Sequence, residues 1–170
     1  KGFPPLRVSV NLSVVQFQEE KFIPDFTRII KESRVNPRYI ELEITESLLS
    51  KNPDEVIKKL HKLKELGLTI AIDDFGRGYS SLHRLELVPF DRIKIDKGII
   101  DYLDVESEKA SITKSIIQLA KAYSASVTAE GVETKEQADF LRSAACDEIQ
   151  GFYYSRPLSV DALEKTFKKE

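Results

Sequence analysis

Asn11, Glu43, Asp73 with Asp74, Lys94, Glu130 and Gln150 are the residues in this chain best suited to chemistry. They close six short stretches: RVSVN (7–11), IELEIT (40–45), TIAIDD (69–74), RIKID (92–96), SVTAE (126–130) and EIQ (148–150). Each can hold a metal ion or a phosphate. Hard divalent cations take oxygen ligands, so magnesium or manganese fits a set without histidine or cysteine. Lys94 supplies the one positive charge among them.

The pattern predicts the elements that position these groups. Side chains alternate faces along a strand, so Arg7, Ser9 and Asn11 share one face and Val8, Val10 and Leu12 the other. The same split separates Glu41, Glu43 and Thr45 from Ile40, Leu42 and Ile44. Amphipathic segments long enough to be helices lie between the stretches, which predicts parallel strands. Parallel strands in a closed sheet bring their C-terminal ends to one mouth, where these side chains converge.

Helix punctuation agrees with that order. Asn52-Pro53-Asp54-Glu55 reads as N-cap, first-turn proline and acidic first turn. Val56, Ile57, Leu60 and Leu63 follow as one apolar stripe, and Gly67 closes the helix. Thr134 to Gln137 reads as a capping box ahead of Ala138 and Leu141. Ile112, Ile116 and Ala120 mark a third stripe, with Lys114 and Lys121 turned outward. Further helices are predicted over 22–33 and from about Ser159 to the end.

Composition sets bounds. The 170 residues amount to one domain. A net charge of −2 offers no polycationic face to duplex nucleic acid, so a nucleotide partner should be small. The single cysteine, Cys146, excludes an intrachain disulfide and fits a reducing, cytoplasmic setting. No apolar run approaches the roughly 20 residues that span a bilayer. The chain holds no methionine and opens on Lys1, so a segment of a longer protein is expected, one that need not lack a membrane tether elsewhere.

Ordered motifs carry a family resemblance. They are Asn11-Leu12-Ser13 with Gln16-Phe17; Glu41-Leu42-Glu43-Ile44-Thr45-Glu46-Ser47; Asp73-Asp74-Phe75-Gly76 running to Gly78-Tyr79-Ser80-Ser81; Lys94-Ile95-Asp96; Ala129-Glu130-Gly131-Val132-Glu133-Thr134; and Gln150-Gly151 with Ser155-Arg156-Pro157-Leu158. In this order they resemble the C-terminal three-quarters of an EAL domain, the bacterial phosphodiesterase that hydrolyses cyclic di-GMP to linear pGpG. The resemblance implies an α/β (β/α)8 TIM-type barrel, with six of the eight strand-helix units here. Residues 1–170 would then be a single truncated domain, without the first two strands and the Glu-Ala-Leu signature.

The resemblance also assigns roles. A phosphodiester resists hydrolysis because its anion repels the nucleophile and its leaving alkoxide is poor. Two cations about 3.5–4 Å apart can bridge a water, lower its pKa and stabilise both oxygens of an in-line displacement. Asn11, Glu43, Asp73, Asp74 and Glu130 are the implied ligands, with Asp73 bridging. Lys94 is placed for the attacking water or a phosphate oxygen, its own charge disfavoured by adjacent cations. Gln150 would position water or ligand, and Glu46 would steady the Asp74–Ser81 loop. Glu133, Asp96, Arg156 and Pro157 fall at the ligand or behind the metal ligands. Calcium's longer, looser coordination would bind without supporting turnover. A homodimer through the Asp74–Ser81 region and attachment to sensor or cyclase domains are further implications.

Other readings compete with these. A lone acidic strand end is usually a solvated loop residue, but six at one parity weaken that reading. Asp74-Phe75-Gly76 matches the kinase metal-binding triplet, but no glycine-rich loop or His-Arg-Asp segment accompanies it. His61 and His83 read as surface residues and Cys146 as packing. Arg77 stands where the family pattern has a small residue, either as an exposed charge or as a modifier of loop closure and dimer contacts. The rival to an enzyme is an inactive EAL module that binds cyclic di-GMP or a protein as an effector. The isolated 1–170 segment is itself expected to be inactive.

Overall fold

The computed structural model describes residues 5–50, 53–77, 85–101 and 108–167. Six strands form one sheet: β1 (Val8–Asn11), β2 (Ile40–Thr45), β3 (Thr69–Phe75), β4 (Arg92–Ile95), β5 (Ser126–Ala129) and β6 (Glu148–Ile149). They lie side by side in chain order, and every pairing is parallel. Crossover connections between them hold the helices α1 (Val14–Gln18), α2 (Phe22–Ser33), α3 (Pro53–Glu65), α4 (Lys97–Ile100), α5 (Glu108–Ala122) and α6 (Lys135–Ser143). Helix α7 (Val160–Phe167) follows β6. The sheet is curled: Arg7, just ahead of β1, brings its guanidinium to 3.6 Å from Glu148 of β6, at the opposite edge. This is an open half-barrel of a (β/α)8 fold.

The apolar core lies between the outer face of the sheet and the helices. Leu42, Ile44, Ile70, Ile72, Ile93, Ile95 and Val127 are almost fully buried, in one cluster with Leu60 and Leu63 of α3, Ile116 and Ile117 of α5, and Leu141 of α6. Each such side chain contributes on the order of 2 kcal/mol by leaving water. The inner face carries the opposite parity, Glu41, Glu43, Arg92, Lys94 and Thr128, also buried. A polar lumen backed by an apolar outer layer is what the strand alternation requires.

Local signals behave as their chemistry dictates. Thr134 and Gln137 form a reciprocal capping box on α6, and Ser13 and Gln16 form another on α1. Gly67 ends the α3 turn at φ +89, where a Cβ would be strained. The proposed N-cap Asn52 lies outside the described residues. Two expectations need correcting. The buried face of α5 is Ala110, Thr113, Ile116, Ile117 and Ala120, while Ile112 is exposed, because the stripe is set one residue further round the helix. Glu46 opens a 3₁₀ helix, Glu46–Ser50, rather than lying in a loop. The short helices α1 and α4 have no counterpart in the sequence reading, being too brief to show a period.

Candidate active site

Lys94 is the centre of the mouth. On the inner face of β4, one residue before its end, it is almost fully buried, and three carboxylates from three other segments converge on it. Its Nζ lies 2.7 Å from Glu43 Oε1 on β2, 3.2 Å from Asp73 Oδ1 on β3 and 2.6 Å from Glu130 Oε1 just beyond β5. Burial works against the ammonium, but the bonds to Glu130 and Glu43 outweigh it and hold the lysine more firmly charged than usual. The expectation of a charge disfavoured by adjacent cations concerns a metal-loaded centre; the neighbours here are acids. Burial pushes Glu130 above the ordinary carboxyl value, with Lys94 acting against that rise.

Asp74 reaches the mouth by a backbone device. Adjacent strand residues face opposite ways, so Asp73 and Asp74 cannot both point inward from a regular strand. The β3–β4 register shifts between Ile72 and Phe75, and Asp74 adopts φ +53. A second, outer cluster forms there. Arg77 Nε lies 3.0 Å from Asp96 Oδ2 and its Nη1 lies 3.4 Å from Asp74 Oδ1. Burial raises the Asp74 carboxyl, Arg77 opposes it, and Asp73 and Asp96 add to the rise. Asp96, itself buried, also caps α4 by accepting from Gly98 N at 2.8 Å. Arg77 is therefore engaged with two site acids rather than a free surface charge.

The remaining candidates are dispersed. Glu46 Oε1 accepts from Gly76 N at 3.1 Å, joining the end of β2 to the turn after β3. Glu46, Thr45, Ser47, Asp74 and Arg77 line an open cleft of about 220 Å³. Asn11 ends β1 opposite Glu43 in register, with an exposed side chain. Gln150 is exposed beyond β6 and ties in by backbone, donating to Ala129 O and accepting from Val132 N. Glu133 pairs with Lys97 at 2.6 Å on the surface, and that bond holds the Glu133 carboxyl below its usual value. Arg156 stacks on Phe152 at 4.6 Å, and Pro157 is exposed beside it. Gly78 to Ser81 and His83 lie outside the described residues, and His61 is exposed on α3.

The donor set suits a hard cation: it is all oxygen, and buried Asp73 Oδ1 has no hydrogen-bond partner although Lys94 Nζ is 3.2 Å away. Among the described residues, no three His, Cys, Asp or Glu side chains are gathered as a ready metal cage. The donors are of the type a hard cation takes, and Glu43, Asp73 and Glu130 would hold it.

The sequence reading missed the layer beneath. Arg92, two residues before Lys94, donates from Nε to Glu41 Oε2 at 2.9 Å, from Nη1 to Thr128 Oγ1 at 2.6 Å and from Nη2 to Glu148 Oε1 at 2.8 Å. Ser9 Oγ also donates to Glu41 Oε1, at 2.8 Å. Inner-face parity at Arg92 was the signal that could have found this network.

Acids gathered round one lysine at the C-terminal mouth of parallel strands sit where (β/α) barrels carry their functional sites. The EAL domain family model matches residues 1–157, and the chain belongs to that family. An uncharacterized signaling protein of Caulobacter vibrioides is 42% identical over 159 residues, 94% of this chain and 20% of that protein. Cyclic di-GMP phosphodiesterase NbdA of Pseudomonas aeruginosa is 37% identical over 164 residues, 96% of this chain and 21% of NbdA. The chain thus spans about a fifth of the length of these curated relatives. Among solved structures, PaMucR phosphodiesterase in its c-di-GMP complex superposes with TM-score 0.88 at 36% identity, covering 92% of this chain and 64% of that one. Klebsiella pneumoniae BlrP1, in a manganese and cyclic di-GMP complex, gives TM-score 0.81 at 30% identity, covering 89% and 39%. No helix among the described residues is long and apolar enough to cross a membrane.

Proposed function

We propose that this chain forms the main part of a metal-dependent phosphodiesterase centre that opens cyclic di-GMP to pGpG. The observation that carries the reading is Lys94 held by Glu43, Asp73 and Glu130 at the C-terminal mouth of the sheet. The family membership, a relative named as a cyclic di-GMP phosphodiesterase and a neighbour bound to the nucleotide support the same substrate.

Glu43, Asp73, Asp74, Glu130 and the amide of Asn11 are the residues that would hold magnesium or manganese. When bound, such ions supply charge neutralisation and a water of lowered pKa. The chain's own residues do the rest. Lys94, held by three carboxylates, is placed to meet a phosphate oxygen or the attacking water with its ammonium. Glu46 fixes the turn that carries Asp74 by accepting from Gly76 N. Glu133 after β5, and Gln150, Arg156 and Pro157 after β6, are assigned to the nucleotide. Calcium binds the same oxygens too loosely to support turnover. We assign the chain to a larger signalling protein with attached sensor or cyclase domains, paired through the Asp74–Ser81 region.

The test is chromatography of cyclic di-GMP incubated with the full protein that carries this chain, in manganese and in chelator. Metal-dependent appearance of pGpG is expected. Tight nucleotide binding with no product would move the chain to the effector reading.

A further inference from the structure

We infer that Arg92 is a positioning residue that sets the geometry of Glu43, Lys94 and Glu130 from beneath; the inference rests on the phosphodiesterase reading. Three of the strands that carry the site also carry the layer below it, offset by two residues on the same face. Glu41 precedes Glu43 on β2, Arg92 precedes Lys94 on β4, and Thr128 precedes Glu130 at the end of β5. Arg92 bonds Glu41 and Thr128 directly and reaches Glu148 on β6 as well. One planar guanidinium therefore joins β2, β4, β5 and β6.

The crossing is possible because of a small residue. To reach β2, the Arg92 side chain passes over β3, and its register partner there is Ala71. Ala71 in turn pairs with Glu43. The guanidinium is almost fully buried and, although burial opposes its charge, Glu148 and Glu41 hold it more firmly protonated. Arg7 adds a second, looser contact at 3.6 Å to both acids, which leaves Arg92 as the short-range tie. Strand spacing in an open sheet is free to breathe, and Lys94 must meet three acids on three segments at once. A rigid fork two residues below fixes those segments relative to one another.

The test is a double-mutant cycle in the full protein, with melting curves checking the fold. Arg92→Lys keeps the charge but cannot bond three partners in fixed geometry, so kcat should fall about tenfold with KM nearly unchanged. In a Lys94→Ala background the same change should cost clearly less, because one of the three residues being positioned is gone. Thr128→Val, a milder loss of one bond, should lower kcat roughly threefold. Calorimetric manganese affinity should fall with each variant, and this readout stands even if the parent does not hydrolyse cyclic di-GMP. An equal kcat loss in both backgrounds, unchanged kcat and manganese affinity in Arg92→Lys, or loss of cooperative melting in both Arg92→Lys and Thr128→Val would overturn the role.

Discussion

At the scale of single residues, Arg77 is where this chain departs most from its family pattern, an exposed charge that nevertheless reaches two acids. It stands against Asp74 and Asp96 as a side-chain cation. An ion placed at Asp74 must share that carboxylate with the guanidinium. Arg77→Gln should therefore tighten manganese binding roughly threefold to tenfold at low salt, and less at high salt because Arg77 is exposed. Unchanged affinity in calorimetric titration would return Arg77 to a bare loop tether. Cys146 gives a second check. Burial pushes its thiol up to about 11, with the backbone oxygens of Val127 and Glu148 beside Sγ. The thiolate is the reactive form, so a raised pKa means less of it at pH 8. Alkylation there should be on the order of 10²-fold slower than for a free cysteine and should accelerate towards pH 11. Fast labelling at pH 8 would contradict the packed setting. The acids of the mouth were legible from type and parity alone. Arg92 was not, because an arginine at a strand start reads as solvated until its partners are known.

At the scale of elements, the strand ends were readable to within a residue or two, because each lies where alternation stops. Asp74 was the exception in mechanism. The sequence shows two adjacent acids at a strand end, but only the register shift and the positive φ explain how both serve the same mouth. Helix α5 shows the opposite failure. Spacing of i, i+4 and i+8 cannot fix which side of a helix the neighbouring strands approach, so Ile112 was placed inward when it faces out. The turn after β6 offers an element-level test. A Cβ on Gly151 would sit 2.1 Å from Val132 O and 2.3 Å from Val132 N, both backbone atoms that cannot swing aside. Gly151→Ala should destabilise by about 1–3 kcal/mol and lower Tm by several degrees. A melting curve superposable on the parent would show that the β5–β6 connection relaxes freely.

At the scale of the whole molecule, β1 and β6 are each paired on one side only among the described residues, so the half-barrel presents two sheet edges. Apolar side chains gather near both. Leu6, Val8 and Val10 are exposed at the β1 edge, and Phe152, Tyr153, Tyr154, Leu158, Val160 and Leu163 are exposed after β6. Exposed edges template pairing with other chains, and an open lumen admits water that weakens each contact at the mouth. The 170-residue polypeptide alone should self-associate on size-exclusion chromatography and fail to cleave cyclic di-GMP; a monodisperse, active monomer would contradict this. The sequence disclosed the open edges through its count of strands, and the curl expected of a barrel sheet is seen in the approach of Arg7 to Glu148 across the lumen. The central claim is that the ring of acids around Lys94 is a catalytic centre, and one measurement tests it most directly. Cyclic di-GMP turnover should be compared in manganese for the full protein and its Lys94→Ala variant, with nucleotide affinity measured alongside. The expected result is a fall in kcat on the order of 10²-fold or more with nucleotide binding largely kept, because a fixed charge matters most as charge develops in the transition state. Near-parental turnover by Lys94→Ala would contradict it.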